Sequence, residues 1–213
     1  MSTSRAVVNT FTFGDINIEL TEAGPDKYAA RTIVGAEDAA KIIPGLDIEK
    51  DPKITVKAKS EACWLFVEVK EENWPAFQNA DGTKKISYSV KEGDDGWKKL
   101  TGVTGADNVY YREVSADDAQ KGAEYYVLEG NGTYPNGVVT VSDTLTKDDI
   151  KDIASTHPTL TFTAYAVQRE GIDSAADAWQ KVDTAANPYV SPLRAGRRTI
   201  IHQIKGVSKF ETT

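Results

Sequence analysis

From Ile42 to Val69 the chain reads IIPGLDIEKDPKITVKAKSEACWLFVEV, with apolar and polar side chains alternating over two strand lengths, and a shorter alternating block, Thr10 to Leu20, precedes it. Period-two alternation puts every second side chain on one face of a pleated strand. Ile54, Val56 and Ala58 are therefore expected inward, and Thr55, Lys57 and Lys59 outward. Trp64 and Phe66 share one parity, while Cys63, Leu65, Val67 and Val69 share the other. That run predicts a strand apolar on both faces and central in its sheet.

Further strands are expected at Lys53–Lys59, Ala62–Lys70, Lys84–Val90, Val109–Val114, Glu124–Leu128, Val138–Val141 and Leu160–Gln168. Turn formers separate them at Ala80-Asp81-Gly82, Asp94-Asp95-Gly96, Gly130-Asn131-Gly132 and Pro135-Asn136-Gly137. Many short strands with dense turns predict an all-β sandwich. Three short helices are expected in the connections, each opened by a hydroxyl followed by an acid three residues on: Ser115 with Asp118, Thr146 with Asp149, and Ser174 with Asp177. A further helical turn is expected over Glu37–Ile43, stopped at Pro44.

One local feature divides the N-terminal block. Phe11 and Phe13 share one parity and Ile16, Ile18 and Leu20 the other, with the switch at Gly14-Asp15. A one-residue slip moves every side chain to the opposite face, so the chain bulges or kinks there, and the residues before Gly14 belong to a different pairing from those after it. Residues 1–13 are thus read as an arm, 14–190 as the sandwich and 191–213 as a basic C-terminal segment.

The charge balance sharpens that last boundary. The chain has 213 residues and a net charge of −7. From Arg194 onward five bases (Arg194, Arg197, Arg198, Lys205, Lys209) face one acid (Glu211), a net +4, which leaves −11 on residues 1–193. An acidic body argues against nucleic acid or an anionic membrane as partner. A basic end on such a body reads as an ordinary terminal strand with solvated charges, with folding back on its own domain or meeting a neighbour's body as the alternatives. No run has the length and hydropathy of a signal core or a membrane span.

Candidate chemistry is sparse. Cys63 is the single cysteine, so no internal disulfide forms, and its apolar surroundings predict an inert buried thiol. A zinc site needs several imidazoles or thiolates, and the chain offers His157, His202 and that cysteine, with no His pair at helical spacing. No G-x-S-x-G elbow marks a nucleophile. The acidic pairs Asp94-Asp95, Asp117-Asp118 and Asp148-Asp149 have calcium-type oxygens, yet none matches an EF-hand loop; calcium is left without assigned ligands and no other cofactor is expected. Trp97, Tyr110-Tyr111, Tyr125-Tyr126 and Tyr134 are candidates for a carbohydrate-binding surface, with ordinary strand aromatics as the alternative. Asn131-Gly132-Thr133 fits a glycosylation acceptor and fits a turn equally well.

Three blocks together resemble the TasA and camelysin family of exported Gram-positive biofilm-matrix fibre proteins. They are Asn9 to Ile16 (NTFTFGDI), Ile43 to Asp47 (IPGLD) and Leu160 to Gln168 (LTFTAYAVQ). The resemblance implies a jelly-roll-like β-sandwich, secretion to the cell surface or extracellular matrix with the leader absent from this chain, and assembly into fibres by donation of an N-terminal strand to the next subunit. Arg5, Val7, Asn9, Phe11 and Phe13 are the assembly residues so implied, with a second copy of the chain as partner and matrix or surface components as further candidates. The metalloprotease activity attached to camelysins is not carried over, because no zinc ligands are recognisable. The expectation is a non-enzymatic structural subunit. A camelysin-type protease, a surface adhesin and a phage or pilus subunit stand as alternatives.

Overall fold

Ten consecutive residues from Cys63 to Glu72 form an inner strand, and its first five side chains are all buried, which is what an uninterrupted apolar run dictates when both faces are covered. The computed structural model describes residues 16–21, 39–41, 43–72, 74, 77–150, 159–182 and 201–211. Numbered along the chain, the strand over Cys63–Glu72 is β5. It pairs antiparallel on one side with β11 (Thr159–Gln168) and on the other with β8 (Val109–Val114). Beyond β8 lies the short β7 (Lys98–Lys99); beyond β11 lies β12 (Ile201–Glu211), followed by β2 (Ala39–Lys41), completing a six-stranded sheet. Every pairing in it is antiparallel except that of β2 with β12.

Among the described residues, two three-stranded antiparallel sheets make up the rest of the strand framework. One contains β1 (Ile18–Thr21), β4 (Lys53–Val56) and β9 (Ala123–Tyr126), in that order; the other contains β3 (Ile48–Glu49), β10 (Val138–Val141) and β6 (Ile86–Ser87), in that order. The chain passes from β3 into β4 within four residues, and Val127 N–H bonds the Pro52 carbonyl, so the two small sheets run on from one another. At their junction Lys50 N–H donates to the Gly137 carbonyl at 3.0 Å. Gly137 sits at φ +147°, and a Cβ there would lie 2.0 Å from the Lys50 carbonyl oxygen, so only glycine fits.

The principal core includes Ile16, Ile18, Ile54, Val56, Leu65, Val67, Val69, Val139, Val141, Leu160, Phe162 and Ala164. Full burial of each branched side chain among them is worth about 1.5–3 kcal/mol. A second cluster, Trp64, Phe66, Tyr165, Val167, Ile172 and Trp179 among its members, covers the opposite face of β5 and β11. Trp64 Nε1–H donates to the Ile172 carbonyl at 3.1 Å and ties the connection after β11 to this face. The all-β sandwich expected from the pattern is thus what forms, with β5 buried on both faces.

Among the described residues there are three short helices, all in connections: α1 (Ala116–Lys121), α2 (Lys147–Ile150) and α3 (Ala175–Trp179). Each expected cap is present. Ser115 accepts from Asp118 N–H and Ser174 from Asp177 N–H, both at 3.1 Å, and Thr146 Oγ1 accepts from Asp149 N–H at 3.3 Å.

Several expectations are corrected. Residues 39–41 are extended and pair with β12, not helical: pairing with a distant strand outweighs weak local preference. Ala58 is exposed because β4 ends at Val56 and the chain turns through Lys59 at φ +71°, letting Lys59 and Ser60 N–H bond the carbonyls of Gln120 and Ala119. The Lys84–Val90 strand is reduced to Ile86–Ser87, with single bridges from Lys84 to Gln78 and from Val90 to Leu128, since this stretch changes partner every few residues.

Candidate functional site

The assembly residues Arg5, Val7, Asn9, Phe11 and Phe13, and the parity switch at Gly14-Asp15, lie outside the described residues. Immediately after the switch, Ile16 and Ile18 are buried while Asn17 and Glu19 are exposed, the phase expected for that half of the block. Asn17 is fixed on both sides: its N–H donates to Ser60 Oγ at 3.1 Å and its carbonyl accepts from Lys57 N–H at 2.8 Å. β1 then pairs with β4 from Ile18↔Val56 to Thr21↔Lys53 and, among the described residues, is an outer strand of its sheet, as β9 is on the other side. An outer strand offers a row of main-chain donors and acceptors to an added strand.

The aromatic candidates do not share one face. Tyr110 and Tyr125 pack on the principal core and Tyr111 on the second cluster, and Trp97 is only 1% exposed. Around Trp97 the fold assembles a cation clamp that sequence reading did not nominate. The Arg112 guanidinium, on β8, lies 3.7 Å from the Tyr125 ring centroid, on β9, and 5.7 Å from Trp97. It also donates to the Asp95 carbonyl at 3.1 Å, and Trp97 Nε1–H donates to the Tyr126 carbonyl at 3.0 Å. Burial pulls the Arg112 pKa below its ordinary value and pushes Tyr125 up. The Nε of Arg112 is buried and has no hydrogen-bond partner among the described residues. The signal was in the alternation: Arg112 shares parity with Tyr110 and Val114, so a charge was placed in the inward phase.

A second polar group lies by the end of β5. Tyr88 O–H donates to Glu71 Oε1 at 2.7 Å, Lys84 Nζ lies 3.4 Å from the same oxygen, and the Tyr88 ring meets Trp74 edge-on at 5.8 Å. Burial, with the Glu71 hydrogen bond, raises the Tyr88 pKa well above its ordinary value. Each polar atom here serves another, as in a structural network.

Other sequence candidates resolve into local roles. Asn131 Oδ1 accepts from Thr133 and Tyr134 N–H at 2.9 and 2.7 Å, and its Nδ2 donates to Asp47 at 2.7 Å, so its amide latches two loops together. The Asp149 carboxylate accepts from Thr146 N–H and Oγ1–H, closing the cap of α2, and holds Lys85. Cys63 is fully buried, and burial pushes its thiol up to about 12. His202 lies in β12 at the register position opposite Ala166, and His157 is outside the described residues. Among the described residues no three His, Cys, Asp or Glu side chains are grouped to hold a metal ion, and no helix is long and apolar enough to cross a membrane.

No protein-family model and no curated protein matches this sequence. Among solved structures, the chain is similar to the partial N-terminal region of an enterococcal surface protein, over 99% of this chain at 13% identity and a TM-score of 0.34. The chain spans 46% of that solved chain. At that level of likeness nothing about function passes from one chain to the other.

Proposed function

We propose that this chain is a non-enzymatic structural protein of the bacterial cell surface or extracellular matrix, which self-associates by lending its N-terminal segment, Arg5 to Phe13, to the sheet of another copy. One relationship supports the reading. The segment directly precedes β1, carries Val7, Phe11 and Phe13 in the parity opposite to Ile16 and Ile18, and leads into an outer strand. A segment whose side chains are out of phase with the strand it leads into is suited to a different sheet. Added to an open edge it gains main-chain hydrogen bonds and seats alternate side chains. The family resemblance of the NTFTFGDI, IPGLD and LTFTAYAVQ blocks points the same way.

Electron microscopy and light scattering of the full chain beside a chain lacking residues 1–9 test the proposal. Filaments or large oligomers from the full chain, and a folded monomer from the shortened one, are expected. Identical assembly by both overturns strand donation.

A further inference from the structure

The C-terminal strand is held by a ladder that every copy of this chain offers. β12 lies between β11 and β2, meeting β11 through nine register pairs from Val167↔Ile201 to Thr159↔Lys209, and β2 from Lys209↔Ala39 to Glu211↔Lys41. Ladder pairing is selected by main-chain groups and register, which are identical in all copies, so a neighbour's β12 meets the same slot with the same contacts.

The connection has the reach. The second cluster ends at Val182, and residues 183–200 join it to β12. Eighteen residues span up to about 60 Å, against roughly 40 Å for the diameter of a domain of this size. Charge also favours capture: residues 194–213 carry +4 and the remainder −11, so the segment is attracted to the body of any copy it meets.

We propose that β12 is an exchangeable strand: the slot between β11 and β2 accepts the β12 of a second copy and links the two through their C-terminal ends. This goes beyond N-terminal donation and does not depend on it.

Register pairs supply the test. Residues directly opposite in an antiparallel ladder have their Cα atoms about 4.5–5.5 Å apart, within the range a disulfide spans. In a Cys63→Ala background, Thr163→Cys and Lys205→Cys are made in two separately tagged chains, purified folded, mixed without denaturant and gently oxidised. Exchange predicts a covalent heterodimer carrying both tags, well above a control mixing Ser115→Cys with Lys205→Cys. The same two cysteines in one chain report the closed register as an internal bridge. An internal bridge with no heterodimer above control overturns exchange, and no internal bridge overturns the register on which it stands. Repeating the mixing with chains lacking residues 1–9 separates the two proposals: a heterodimer that persists belongs to β12, whatever becomes of N-terminal donation.

Discussion

Arg112 lies flat against Tyr125, its guanidinium carbon 3.7 Å from the ring centroid, and the two residues come from different sheets, β8 of the large one and β9 of a small one. The contact joins the layers of the sandwich near β7, backed by a fully buried Trp97. A planar cation spreads over a ring where an ammonium makes a point contact. Arg112→Lys is therefore expected to cost about 1 kcal/mol although charge is kept. Tyr125→Phe keeps the stacked face and is expected to stay within about 0.5 kcal/mol, whereas Tyr125→Ala costs about 2–4 kcal/mol through the cavity it leaves. Urea unfolding of the three variants checks the order; equal losses in Arg112→Lys and Tyr125→Phe would refute the stacking account.

Two glycines in left-handed backbone separate strain from collision. At Gly82, φ +84°, a Cβ has nothing within 4 Å, so Gly82→Ala meets only the conformational penalty of about 1 kcal/mol. At Gly137 the same atom would sit 2.0 Å from the Lys50 carbonyl, at the junction of β10 with β3. Gly137→Ala is expected to cost more than about 4 kcal/mol and to deplete soluble protein. Soluble yield and unfolding midpoint of the pair decide it, and a Gly137→Ala protein as stable as Gly82→Ala removes the close-approach argument.

How much of the fold was legible in the sequence depends on how local each signal is. The strand Val109–Val114 falls where alternation put it, and the Ser115 and Ser174 caps where a hydroxyl and an acid stood three apart, because each depends on neighbours within one turn or one pleat. The two-faced burial of Cys63 to Val67 was legible for the same reason. The extended conformation of Ala39–Lys41 was not, since it depends on Lys209–Glu211 about 170 residues away. Nor was the Arg112 clamp, because parity shows that a charge turns inward but not which ring it will meet. The second cluster was half legible: Trp64 and Phe66 announced a covered outer face, while Trp179, whose ring lies 5.2 Å from Phe66, gave no hint of its partner.

Asp149 and Lys85 predict a pH dependence. Lys85 Nζ lies 2.7 Å from both Asp149 oxygens, with the Lys85 side chain 11% and the Asp149 side chain 19% exposed, and Asp149 Oδ2 also accepts from Thr146 N–H and Oγ1–H. The Lys85 hydrogen bond, with those from Thr146, holds the Asp149 carboxyl below its ordinary value. A carboxylate with a lowered folded pKa stabilises the fold above its unfolded value of about 3.9, and that contribution is lost as pH falls through the folded pKa. Asp149→Asn is thus expected to cost about 1–3 kcal/mol at pH 7, with the gap to the parent narrowing below about pH 4. Urea unfolding of both proteins at pH 7 and pH 3 measures the gap; one that stays constant shows the carboxylate's charge to be irrelevant.

The last prediction concerns Cys63, which begins β5 and is paired with Val114 on one side and Gln168 on the other. It is fully buried, and burial pushes its thiol up to about 12, so at pH 8 the reactive thiolate is scarce even before access is considered. Modification has to wait for β5 to leave its neighbours, an opening that for a central strand approaches global unfolding, about 5 kcal/mol or more. An aromatic disulfide reagent at pH 8 is therefore expected to label the native chain at least roughly a thousandfold more slowly than the urea-unfolded chain. Cys63→Ala removes the labelled site and is expected to lower stability by about 1–2 kcal/mol, the loss of a small apolar group from a packed interior. Native labelling at the unfolded rate would mean that β5 is not the centre of the sheet, and the two-layered burial built on it would fail with it.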